Sequence, residues 1–252
     1  LSAGGRYGPA DRCIQGYART MSLRFLQLFI LIALVGSTIW LWDTPVLKAI
    51  KLFVVLLHEI SHGLAAVLTG GEILRIEVNE QIGGYCQYRG GNRFVVASAG
   101  YLGSLLWGGV ILVVASRTDY SPQLGTFIAA VMLIVTLLWI RNTYGVLYTA
   151  GSAVVLFVMC RFLPQWAVSI VIQFLGTASC MYVIIDILDD LILIRPNGSD
   201  AHALSQLTGI HALFWGVLWM LIALVMILYS FYLAGSRDLQ SNQSTTRPSH
   251  EL

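Results

Sequence analysis

Charge is what this 252-residue chain has least of. Asp, Glu, Lys and Arg make up 11% of it against 57% apolar residues, and its mean hydropathy is +0.74. A soluble globular domain carries about 25% charged residues, so this composition cannot supply an ordinary water-facing shell. The sequence predicts an all-α polytopic membrane protein. Cysteine is scarce too. Cys13, Cys86, Cys160 and Cys180 form no C-x-x-C pair, which excludes a disulfide frame or a cysteine zinc cluster and leaves packing roles. The net charge is only +2, and the basic residues are scattered with no aromatic–basic patch, so no nucleic-acid partner is expected.

What the chain has in abundance is long apolar runs. About 20 such residues span a bilayer. Seven stretches qualify: Phe25–Trp42, Pro45–Gly70, Phe94–Ser116, Tyr120–Ile140, Asn142–Cys160, Pro164–Ile194 and Ala212–Ala234. The fourth and fifth are separated only by Arg141, so six to seven membrane helices are expected. Residues 1–20 are polar and Gly-rich and are expected to be poorly ordered, with Met21 a natural start. The tail from Arg237 is Ser/Gln/Asn-rich and is expected to be disordered. Between them, residues 21–236 read as a single membrane domain. Arg6, Arg12, Arg19 and Arg24 precede the first span and argue for a cytoplasmic N-terminus, although Lys48 and Lys51 then fall on the outer side.

The second run contains His58-Glu59-Ile60-Ser61-His62, an H-E-x-x-H pattern. On a helix the two histidines lie one turn apart on one face, where both imidazoles can reach one metal ion. Glu59 sits beside them, placed to take a proton from an activated water rather than to bind the ion. Two imidazoles and a carboxylate are costly in lipid, so a functional site is the first expectation there.

Between the second and third spans lies the one sizeable polar segment, Gly71–Arg93. Glu72–Val78 partly alternates, Gly83-Gly84 can supply a tight turn, and Tyr85–Arg89 can run back, which predicts a small β-hairpin at the membrane surface. Its edge could hold an extended peptide by backbone pairing. The third span opens with small residues from Ala97 to Gly103 and continues to Gly108-Gly109, a pattern that lets neighbouring helices approach closely.

A second anomaly lies in the sixth span. Asp186, Asp189 and Asp190 fall at i, i+3 and i+4 on one helical face. His62 and Asp186 each lie on the order of 12 Å in from the same membrane face. Depth therefore favours Asp186 as a third metal ligand, with Asp190 as the substitute. In the connection after it, Asp200 following Ser199 can cap a short interfacial helix. His202 and His211 are further candidate ligands.

The order of these motifs carries a resemblance. His58-Glu59-Ile60-Ser61-His62-Gly63 in a membrane helix is followed by Gly70-Gly71, the Arg75–Val78 strand, Gly83-Gly84-Tyr85, and Ala99-Gly100 opening the next span. This resembles the site-2 protease family of intramembrane zinc metallopeptidases. It is most similar to the peptidase M50B-like branch, where an Asp-rich late helix precedes a segment like Ser199-Asp200-Ala201. The resemblance implies a catalytic Zn2+ in the membrane, held by two His and one Asp, and a reaction that cleaves transmembrane segments of partner membrane proteins. His58 and His62 match its ligands and Glu59 its general base. The chain departs from the better-known members in two places: Ile187 follows Asp186 where Gly follows the third ligand, and Tyr101 stands where Pro often follows Ala-Gly.

The expected reaction is peptide-bond hydrolysis. Glu59 accepts the proton of the attacking water and delivers it to the leaving amine. Asn142 is a candidate oxyanion donor if the fifth span packs nearby. Two other readings use the same residues: an inactive protease-like scaffold or regulator, and a metal-ion transporter whose path is lined by His58, Glu59, His62 and the aspartates.

Overall fold

The computed structural model describes residues 9–193 and 199–236, with side chains described over the same ranges except 9–20, 22–24 and 190–193. Residues 1–8 and the tail from 237, both expected to lack fixed structure, lie outside the described residues. The chain runs α1 (Pro9–Trp40), α2 (Pro45–Leu68), β1 (Glu72–Asn79), β2 (Gly83–Arg89), α3 (Arg93–Arg117), α4 (Ser121–Leu138), α5 (Thr143–Phe162), α6 (Gln165–Leu193), α7 (Asp200–Thr208) and α8 (Ala212–Gly235). Six of these helices (α2, α3, α4, α5, α6 and α8) are long and apolar enough to cross a membrane, and α1 adds the shorter apolar stretch Phe25–Trp40. The first helix begins at Pro9, well inside the segment expected to be poorly ordered.

The helix limits follow local chemistry. Thr44 caps α2 by accepting the Leu47 N–H, and Pro45 takes the first-turn position where its missing N–H costs nothing. Asn92 caps α3 by accepting from Phe94 and Val95. Gly209, at φ 73°, ends α7 in the left-handed conformation.

Burial in lipid gives little hydrophobic drive between helices, so close approach and hydrogen bonds must hold them together. Both are present where α3 crosses α6. A Cβ on Gly176 would lie 2.6 Å from the Leu112 backbone nitrogen, and one on Gly108 would lie 2.9 Å from Ser179 Cβ. The small-residue pattern of the third span is therefore matched by small residues on the sixth. Gln27 Nε2 of α1 donates to Gln173 Oε1 of α6 at 3.0 Å, and the Thr136 and Thr149 hydroxyls join α4 to α5 at 2.7 Å. Each such bond contributes about 0.6–2 kcal/mol. On the outside, α5 and α8 leave Leu147, Val155, Val225 and Leu228 uncovered, as helices facing acyl chains do.

The β-hairpin packs one face onto α2, burying Ile76, Val78 and Cys86 among Leu52, Phe53 and Leu56. Its turn differs from the expected one. Gly83 and Gly84 belong to β2, and the reversal occupies residues 80–82, with Ile82 at φ 61° and the Asn79 side chain accepting from the Gln81 and Gly83 N–H groups. The glycine pair is required for close approach rather than for turning. A Cβ on Gly84 would lie 2.5 Å from Glu59 Oε1 and 2.7 Å from Val55 Cγ1.

The outer edge of β1 is occupied. Ile76 N–H donates to the Trp139 carbonyl at 2.8 Å, and Ile140 forms a parallel bridge to Ile76, so the α4–α5 connection acts as a short third strand. Asn142 completes it: Val78 N–H donates to Asn142 Oδ1 at 3.3 Å, and Asn142 Nδ2 donates to the Val78 carbonyl at 2.6 Å. Asn142 is thus a clamp on the hairpin and not the oxyanion donor considered from sequence. Its amide accepts from and donates to one residue of β1.

Candidate metal centre

The middle of α2 presents His58 and His62 one turn apart, with Glu59 beside them; Glu59 and His62 are buried. The His62 ring is oriented by α3: its Nδ1 lies 2.7 Å from the Val96 carbonyl oxygen. A carbonyl only accepts, so Nδ1 carries the hydrogen and Nε2 presents a lone pair. The two imidazole planes meet at 76° with centroids 4.6 Å apart.

Asp200 completes the group. Its Oδ2 lies 3.1 Å from His58 Nε2 and 3.2 Å from His62 Nε2. Ser199, not Asp200, caps α7 by accepting the His202 N–H, and Asp200, the first helical residue, turns inward. Ala201 and Leu204 anchor the short helix in the core formed with α3, α6 and α8. Gly100 of α3 leaves the necessary room, since a Cβ there would lie 2.5 Å from Asp200 Oδ2.

Asp200 Oδ2 is buried, and among the described residues it has no hydrogen-bond partner. The His62 Nδ1–H is spent on Val96, so the neutral ring has none to give from Nε2. Electron pairs therefore converge on one point, where they repel unless a cation or an extra proton stands between them. A tetrahedral zinc ion with bonds of about 2.0–2.2 Å sets its ligand atoms about 3.3–3.5 Å apart, close to the separations observed here. His58, His62 and Asp200, whose ligand atoms all lie within 4.8 Å of one another, fit such an ion.

The sequence placed Asp186 in this role, and the structure places it elsewhere. Asp186 lines the same cavity but is not a member of the group that meets the imidazoles. Depth along a helix gives height in the membrane; it does not give the distance across the bundle. The space beside the two rings is filled instead by Asp200 of α7, which packs against α3 and α8. The side chain of Asp190 lies outside those described. His202 pairs with Gln206 at 3.0 Å, and His211 caps α8 by accepting the Leu213 N–H, so neither joins the centre. The sequence touched Asp200 twice, as the expected cap of a short helix and within the Ser199-Asp200-Ala201 segment of the family resemblance, without giving it the ligand role.

The cavity around these groups has a volume of about 400 Å³, and its walls include Val54, Gly84, Tyr101, Tyr182, Asp186 and Ser199. Gly84 of β2 lies directly against the Glu59 side chain, so the general-base candidate is in contact with the hairpin. Ile76 and Val78 spend their backbone groups on the α4–α5 connection, away from β2. Their cross-strand partners Cys86 and Gly84 must then direct theirs to the opposite side. Among the described residues no strand covers that edge, and it borders the cavity.

Among curated proteins and among solved structures, nothing matches this sequence. A family model does, from the first membrane helix through most of α8, a region that contains the H-E-x-x-H helix, the hairpin and Asp200. With residues 31–230 matched by the model described as Peptidase M50B-like, the chain belongs to the peptidase M50B-like family.

Proposed function

We propose that this integral membrane protein is a zinc metalloprotease that hydrolyses peptide bonds in or near transmembrane segments of partner membrane proteins, within the lipid bilayer. The observation that carries this reading is the meeting of His58, His62 and Asp200 beside Glu59, inside a bundle of membrane-length helices. Zinc bound there would supply a Lewis acid with a fourth position open to water and substrate. His58, His62 and Asp200 are the residues that would hold it.

Glu59 is the general base. It takes the proton of the attacking water as the carbon–oxygen bond forms and passes it to the amine as the carbon–nitrogen bond breaks. Gly84 lets β2 rest directly on its carboxylate. A helical substrate hides its carbonyls in hydrogen bonds and must unwind to react. The outward edge of β2 at Gly84 offers backbone groups for an unwound segment to pair with, beside Glu59. That pairing compensates the segment for the helical bonds it loses, a requirement that is strict where no water is present.

Glu59→Gln tests the reading. A membrane-embedded reporter should go uncleaved by the variant while the metal content of the purified protein stays at the wild-type level. Cleavage that survives the substitution would refute the assignment. Cation flux that falls in its place would favour a transporter, and loss of neither a scaffold.

A further inference from the structure

His58 and His62 are held in different ways. His62 has the Val96 carbonyl on its second ring nitrogen, and His58 is approached from another side of the site. What His58 has is a ring. Tyr101 of α3 meets it edge to face, with centroids 4.9 Å apart and planes at 80°. Tyr101 is 5% exposed and is backed by Trp219 of α8, centroid to centroid 5.2 Å, which is itself 2% exposed. Gly100, the residue before Tyr101, has no side chain to keep the α3 backbone from the ligands.

We propose that Tyr101, backed by Trp219, is the positioning residue of His58: the aromatic contact fixes the rotation of the imidazole so that its Nε2 points at the place where Asp200 Oδ2 and His62 Nε2 converge. The inference rests on the metal-centre reading above. An imidazole without an outer partner turns about its last side-chain bond, and each orientation lost from the productive one weakens the site. A hydrogen bond does this for His62, and packing does it for His58. Tyr101 and Trp219 also belong to the core that seats Ala201 and Leu204 of α7, so the same aromatic pair sets the distance between His58 and Asp200. The ring is what matters in this account, and whatever the phenol oxygen binds is not used.

The test is Co2+ and Zn2+ affinity of the full chain purified in detergent, with the visible absorption of bound Co2+ as the report on ligand geometry. Removing an outer partner of a metal-binding histidine costs about 10–100-fold in affinity, and Tyr101→Leu is expected to fall in that range with an altered Co2+ spectrum. Tyr101→Phe should bind as wild type does, and Trp219→Leu should weaken binding in the same direction as Tyr101→Leu by less. Leu105→Ala, in the same core one turn further along α3, is the stability control and should keep both affinity and spectrum. Should Tyr101→Leu fail to fold, Trp219→Leu and Tyr101→Phe carry the comparison. The proposal is overturned if Tyr101→Leu and Trp219→Leu bind metal as wild type does, if Tyr101→Phe is as weak as Tyr101→Leu, or if Leu105→Ala loses as much. A wild-type protein that takes up no metal overturns the metal-centre reading and this inference with it; normal uptake that is insensitive to Tyr101 overturns this inference alone.

Discussion

Asp200 Oδ2 stands 3.1 Å from His58 Nε2, although four membrane helices separate the two residues in sequence. The contact joins α2 to the nine-residue helix α7, and it places a carboxylate where a third metal ligand would lie.

Exchanging one oxygen of each acid for nitrogen separates their roles. Asp200→Asn should reduce metal affinity by more than the ~10–100-fold that loss of an outer partner costs. Asp186→Asn should leave metal content unchanged, because Asp186 lines the cavity outside the ligand group. Metal stoichiometry of the purified proteins decides between them. Normal content in the first variant and loss in the second would return the ligand role to α6.

Gly84→Ala adds a methyl group 2.5 Å from Glu59 Oε1 and 2.6 Å from its Cγ. The hairpin or the carboxylate must move, at a cost of about 1–3 kcal/mol. Turnover of a membrane reporter should fall while metal content holds, since the atoms nearest the new methyl group belong to Glu59 and Val55. Unchanged turnover would mean that the contact between β2 and Glu59 is slack.

Asn142→Ala removes both hydrogen bonds to Val78. The expected loss is about 1 kcal/mol for each bond, concentrated in the hairpin. Amide exchange at Ile76, Val78 and the 80–82 turn should quicken, with exchange in α3 and α6 unaltered. Uniform acceleration across the molecule would argue against a local clamp.

The Cys86 thiol is pushed up to about 12 by burial, with the neighbouring Glu59 carboxylate acting in the same direction. The folded state therefore holds this proton more tightly than the unfolded chain does. The stability it contributes is complete below the ordinary thiol value of 9.0 and is lost as pH rises from there towards about 12. At pH 8 Cys86 should resist alkylation in the folded protein and react once denaturant is added. Mass spectrometry of the labelled peptide reads this directly, and prompt labelling of the native protein would contradict the burial.

The sequence by itself determined the membrane class, the number and approximate limits of the apolar helices, the hairpin after the second of them, and the histidine pair with its glutamate. Each of these rests on neighbours within a turn or a strand, or on composition, and such short-range chemistry can be read from residue order alone. Asp186 and Asp200 mark the limit. Both are acids near the same membrane face, and nothing local distinguishes one that reaches α2 from one that stays in the cavity wall. That choice belongs to the packing of α7 against α3 and α8, where Gly100 leaves room for Asp200 and Ala201 and Leu204 anchor its helix. The Asn142 clamp and the open edge of β2 were hidden for the same reason: backbone groups have no sequence signature, and only the folded arrangement shows which of them are already paired.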